Sequence, residues 1–157
     1  MACRRYRRPP SRQADFGPFM HRFWTAFADD RLWPALDAVS LAPTADARVR
    51  AAAATRAALR LLEEALGARG GRAAFVSGRD AAPGLLDVVL GCFLPAIRAY
   101  ERLHGIALVD ASATPCLQRW SESLAALPAA RRIMPVTDKV VEFTRFLQAK
   151  FGVPVTK

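Results

Sequence analysis

Apolar residues recur at three- and four-residue spacing along most of the chain, and that spacing predicts helices. From Asp15 to Val39, Phe16, Met20, Phe23 and Phe27 fall on one face with Trp24 beside them. Pro18 suits a first helical turn, where its missing N–H costs nothing, whereas Pro34 predicts a kink or broken turn near Trp33. Ser40 to Thr44 reads as a connector. Asp46 to Leu66 is rich in alanine and other helix formers, with Val49, Leu59, Leu62 and Leu66 as its apolar stripe and Gly67 as its stop. Glycines and prolines then break residues 67–83 into a loop, whose Phe75 and Val76 are expected to tuck against the core.

The segment from Gly84 to His104 is apolar around nearly its whole circumference, which predicts a central helix surrounded by others. Thr114 followed by Pro115 predicts an N-cap and first turn, opening a helix through Trp120 to Ala126. Pro128 starts a short helical turn. Pro135 and Thr137 open a last helix to Phe151, with Val140, Phe143, Leu147 and Phe151 on its apolar face and Gly152 and Pro154 after it. The expected fold is all-α: an antiparallel bundle of about five to six helices around one apolar helix.

A chain of 157 residues, 52% of them hydrophobic, supplies one globular domain, placed here at residues 15–153 behind a disordered basic tail at 1–14. The net charge of +9 suggests a nucleic-acid or targeting role, but its distribution argues otherwise. Arg4, Arg5, Arg7, Arg8 and Arg12 carry more than half of it on the tail rather than on a folded face. No apolar run reaches the ~20 residues that span a bilayer, so no membrane association is expected. Cys3, Cys92 and Cys116 are dispersed and odd in number, which favours a reducing, cytoplasmic location over a disulfide framework.

No phosphate-binding, zinc-binding or nucleophile-elbow motif occurs, so no catalytic residue and no metal site is assigned. His21 and His104 lack a carboxylate at helical spacing and read as surface or helix-end residues. Cys92 reads as a core thiol, and Cys116 as a more exposed one with nothing nearby to activate it. Asp87, three residues after Gly84, is odd in so apolar a segment. It reads as a structural helix cap, accepting the backbone N–H of Gly84.

Several short stretches recur together in order: Arg22-Phe23-Trp24, Leu61-Leu62-Glu63-Glu64, Gly84-Leu85-Leu86-Asp87, Ala99-Tyr100-Glu101, Pro115 with Trp120, Lys139-Val140-Val141-Glu142-Phe143, and Lys150-Phe151-Gly152. With them the chain, from about Asp15 to about Val153, resembles the helical C-terminal domain of plant tau-class glutathione transferases. The resemblance implies a partner domain of thioredoxin-like fold that binds the co-substrate glutathione. Residues 1–14 have no room for that domain, so the expectation is the electrophile-binding half of a detoxifying enzyme, truncated and not active alone. A homodimer is implied only where the N-terminal domain is present.

What this half contributes, by the same resemblance, is a pocket for apolar electrophilic small molecules. Carried over by register, its walls fall on Trp33, Asp37 and Ser40 of the first helix, Ala96 of the central helix, and Phe143 and Lys150 of the last. Asp37, Ser40 and Ala96 depart from the arginine and tryptophans common in the family, implying a wider pocket with opposite charges at Asp37 and Lys150. A non-catalytic carrier of apolar ligands using the same cleft is the alternative reading.

Overall fold

A computed structural model describes residues 18–68, 74–76 and 82–154. The expected tail at 1–14 lies outside the described residues, as does most of the loop at 67–83. Helices α1 (Pro18–Phe27) and α2 (Trp33–Ser40) are joined by a π-helical turn at Ala28–Leu32. Then follow α3 (Ala45–Gly67), α4 (Leu85–Gly91), α5 (Leu94–His104), α6 (Pro115–Ala126), α7 (Pro128–Ile133) and α8 (Thr137–Lys150). Counting α1–α2 as one rod and α4–α5 as one broken rod gives six, all helical, with no strand among the described residues.

The kink expected near Trp33 is a widening rather than a break. Pro34 has no N–H, and its ring would collide with the carbonyl four residues earlier in a regular helix. One wider turn relieves this: the Trp33 N–H reaches back five residues to the Ala28 carbonyl. The buried face of the rod is Trp24, Ala28, Leu32, Leu36 and Ser40, every fourth residue. Of the expected face, Phe16 lies outside the described residues, Phe23 is 49% exposed and Met20 lies at the surface, while Phe27 is half-buried against the core and Trp24 is buried, packed edge-on between Phe23 and Phe27.

In α3 the buried stripe is Arg48, Ala52, Thr55, Leu59 and Leu62, alternating four- and three-residue steps. Val49 lies just off that stripe and is 65% exposed. The expected continuous central helix is instead two. Pro95 cannot donate to the Gly91 carbonyl, so the chain turns at Cys92 and Phe93 before α5 begins. Nor is this rod apolar-and-buried all round, since Leu85 and Val88 are largely exposed. Gly105, in the left-handed conformation at φ 63°, ends α5 as a glycine can without strain.

Three carboxylates tie helices to loops. Fully buried Asp87 accepts the Gly84 N–H at 2.8 Å, the Val76 N–H at 2.6 Å and the Trp120 indole N–H at 3.0 Å. It thus caps α4, holds the buried Phe75–Val76 turn and anchors α6. Glu63 of α3 caps α6 by accepting the Cys116 and Leu117 N–H groups at 2.8 and 2.9 Å. Thr114 is the N-cap residue, but its hydroxyl turns back to Asp110 instead of serving α6. Glu101 of α5 accepts the N–H groups of Leu108 and Val109. These are charge-assisted bonds, which hold more strongly than neutral ones.

Helix α8 buries Val141, Thr144 and Gln148 rather than the expected aromatic face; Phe143 and Phe151 are 59% and 62% exposed. Gln148 earns burial by donating its amide N–H to the Ser40 carbonyl at 2.8 Å. No described helix is long and apolar enough to cross a membrane.

Candidate functional site

The turn between α4 and α5 opens onto a cavity of about 540 Å³, within the ~300–1,000 Å³ range of small-molecule sites. Helix α2 contributes Trp33; the α4–α5 rod contributes Val88, Gly91, Cys92, Pro95 and Ala96. Leu124 comes from α6, Ala129, Ala130 and Ile133 from α7, Met134 and Pro135 from the next turn, and Val140 and Phe143 from α8. No charged side chain lines it among the described residues, and no serine or tyrosine hydroxyl does so either.

Two aromatic residues stand at its edge, held by neighbouring rings. Trp33 tilts against Phe93 with centroids 5.7 Å apart, and Phe143 stacks on Phe146 at 6.5 Å. Both present large exposed surfaces, 42% and 59%. The floor includes a glycine: a Cβ at Gly91 would lie 2.6 Å from the Leu124 methyl Cδ2, so any larger residue there would make that leucine side chain shift.

Of the six positions expected to wall a pocket, the structure brings Trp33, Ala96 and Phe143 around one cavity and leaves Asp37, Ser40 and Lys150 away from it. The reason is distance along the helices. Asp37 and Ser40 share a stripe with Trp33, but Ser40 is seven residues on, about 10 Å along the axis. That end of α2 is covered by other residues. Arg48 donates to the Val39 and Ala42 carbonyls, Gln148 donates to Ser40, and Tyr100 hydrogen-bonds the Ser40 side chain. Burial pushes the Tyr100 phenol above its ordinary value; the Ser40 bond works against this and the Asp37 charge adds to it. Lys150 likewise lies at the far, exposed end of α8.

Beside this knot His104 carries two buried ring nitrogens without a hydrogen-bond partner. Burial, and secondarily the Arg48 charge, lower its pKa to about 4, so it is neutral at physiological pH. It is more deeply set than the helix-end residue expected.

The cavity also holds a residue expected in the core. Cys92 is exposed and faces the cavity, its thiol donating to the Val88 carbonyl at 3.2 Å. Val88, Cys92 and Ala96 stand four apart, so the stripe through Ala96 already contained the signal. Cys116 is partly covered, and burial, then Glu63, raises its pKa. No group of residues able to hold a metal ion occurs among the described residues.

This fold and cavity belong with a known class. The chain is 68% identical over 139 residues to a probable glutathione S-transferase, BZ2, of Zea mays, covering 87% of this chain and 59% of that protein. It is 38% identical over 128 residues to the probable glutathione S-transferase GSTU6 of Oryza sativa, covering 53% of that protein. The crystal structure of a tau-class glutathione S-transferase from mango superposes with a TM-score of 0.74 at 30% identity, over 83% of this chain and 60% of that one. No family model matches the sequence. The chain belongs to the tau-class glutathione S-transferases, as their helical C-terminal domain. It spans between 53% and 59% of the length of these two curated relatives.

Proposed function

We propose that this domain holds the apolar electrophile during glutathione conjugation. The observation that carries the reading is the 540 Å³ cavity lined without a charge and flanked by Trp33 and Phe143. In the complete enzyme a glutathione thiolate, bound by the other domain, attacks the electrophilic carbon and the leaving group departs. The helical domain supplies position and a dry surface rather than acid–base chemistry, which is enough to lower a bimolecular barrier substantially. Asp37, Ser40 and Lys150 take no part in this site. A cytoplasmic, detoxifying role follows from the same reading.

Binding of N-phenyl-1-naphthylamine, a neutral dye that brightens in apolar surroundings, tests it. Saturable binding that 1-chloro-2,4-dinitrobenzene displaces, and that Ala96→Trp abolishes by filling the cavity, is expected. The 157-residue chain should conjugate glutathione to that electrophile no faster than buffer. Dye binding indifferent to Ala96→Trp would remove the site from this cavity, and a conjugation rate above buffer would put a glutathione site within these helices.

A further inference from the structure

Helix α8 turns Val141, Thr144 and Gln148 inward, and its outward side carries a pattern that the electrophile reading does not use. Lys139, Phe143, Phe146 and Lys150 fall within about 40° of one another around the helix. All four are exposed, and the rings of Phe143 and Phe146 stack at 6.5 Å between the two lysines. This ridge runs about 16 Å from one lysine to the other. Exposed apolar residues also stand before and after it: Ile133, Val136 and Phe151, with Ile133 80% exposed. Arg131 and Arg132 add exposed positive charge beside Ile133. Of the two acids on α8, Asp138 is paired with Arg102, so positive charge prevails along the ridge.

An exposed apolar ridge of this kind marks a docking surface, and its charges choose the partner. A second copy fits poorly. About a two-fold axis midway between Phe143 and Phe146, antiparallel ridges set each Lys139 against a Lys150, and parallel ridges set each lysine against itself. An anionic bilayer meets the same pattern without conflict. Lysine stems lie along apolar surface while their ammonium groups reach anionic headgroups, and the phenyl rings between them enter the acyl boundary. A bilayer also suits a convex ridge rather than a shaped groove, and requires no register between charges. We infer that α8 is a peripheral docking surface for membranes rich in anionic lipid. The lack of a spanning segment has no bearing here, because a helix lying on a bilayer needs one apolar side rather than spanning length. Ile133 and Phe143 also line the cavity, so docking sets its rim against the lipid. The docking itself does not rest on what the cavity holds.

Vesicle flotation of the 157-residue chain tests this, with phosphatidylcholine alone and with about 30% phosphatidylserine. Binding should be at least about tenfold tighter to the anionic vesicles. Arg4, Arg5, Arg7, Arg8 and Arg12 can also attract anionic lipid, so α8 is isolated by substitution within the full chain. Lys139→Gln combined with Lys150→Gln should weaken binding about tenfold or more, at roughly fivefold per lysine. Phe146→Ser should weaken it about fivefold or more. These positions are exposed, and circular dichroism checks that the helices persist. In Phe146→Trp, the added indole emission should shift to the blue on vesicles and be quenched by brominated phosphatidylcholine, which contact through the first 12 residues alone would not produce. Anionic-vesicle binding unchanged by the α8 variants, or an added indole that stays unquenched, would overturn the proposal. So would binding to polyglutamate with none to either vesicle, which would make the partner an acidic protein.

Discussion

Replacing Asp87 tests how much of this fold depends on one buried carboxylate. Asp87→Ala removes the acceptor for donors on three separate segments of the described residues, Gly84, Val76 and Trp120 among them. The Val76 and Trp120 bonds are buried, and a buried donor left without a partner costs about 1–3 kcal/mol. The Gly84 bond is partly exposed and water can replace it, so its loss costs about 0.5–1.5 kcal/mol. Together these give a loss of about 2.5–7.5 kcal/mol, a large share of the ~5–15 kcal/mol stability of a small domain. Asp87→Asn keeps one oxygen for Val76 and Trp120 but turns an amide N–H toward the Gly84 N–H. Its loss should be about half as large. The assay is urea unfolding followed by circular dichroism at pH 7, with Trp120→Phe as a third variant and the double mutant closing a cycle. Coupling of about 1–2 kcal/mol between Asp87 and Trp120 is expected. An Asp87→Ala protein within 1 kcal/mol of the unaltered chain would refute the reasoning.

Other expectations concern single groups. Glu63→Ala should cost about 1–2 kcal/mol by uncapping α6, with Glu63→Gln milder because one acceptor oxygen survives; urea midpoints at constant slope decide this. In a Cys3→Ser background, N-ethylmaleimide should modify Cys92 before Cys116, since Cys92 is exposed and burial raises the Cys116 pKa; peptide mass spectrometry reads the order, and equal rates would contradict it. His104 is held at a pKa of about 4, below its unfolded value of about 6.5. The unfolded chain therefore binds the proton more readily, and stability is lost as pH falls from about 6.5 toward 4. Unfolding midpoints measured across that window should fall less steeply in His104→Leu, and parallel curves would exclude the contribution.

The helices were largely legible because alanine, leucine and capping proline act locally. What was misread depended on a choice of face. In the first rod the larger residues Met20 and Phe23 drew attention away from Trp24, Ala28, Leu32, Leu36 and Ser40, which repeat strictly every fourth residue. A regular helix has 3.6 residues per turn and drifts off such a stripe; keeping it buried calls for the wider turn that Pro34 provokes. In α8 the buried Thr144 and Gln148 were invisible to a search for apolar stripes, because each is polar: Thr144 donates its hydroxyl to the Val140 carbonyl one turn back, and Gln148 reaches Ser40 of the distant α2. The cavity was half legible. Trp33, Ala96 and Phe143 follow from register, but shared stripes do not say how far along a helix a pocket extends. That depends on Arg48, Tyr100 and Gln148 closing the end of α2, which only the assembled fold reveals.

The bond from Gln148 to Ser40 spans 108 residues of sequence. A ribosome making this chain releases α2 long before it makes α8, so the end of α2 emerges with its last carbonyls served by Arg48 alone and Ser40 still hydrated. The Phe143 wall of the cavity is missing for the same interval. The earlier helices can pair before α8 is made, since the Asp87 and Glu63 bonds need nothing beyond α6, but the finished shape of the cavity is a late product of translation. A nascent chain stalled before residue 137 would therefore fold its older helices while leaving the cavity's apolar surface open to whatever apolar partner it meets first.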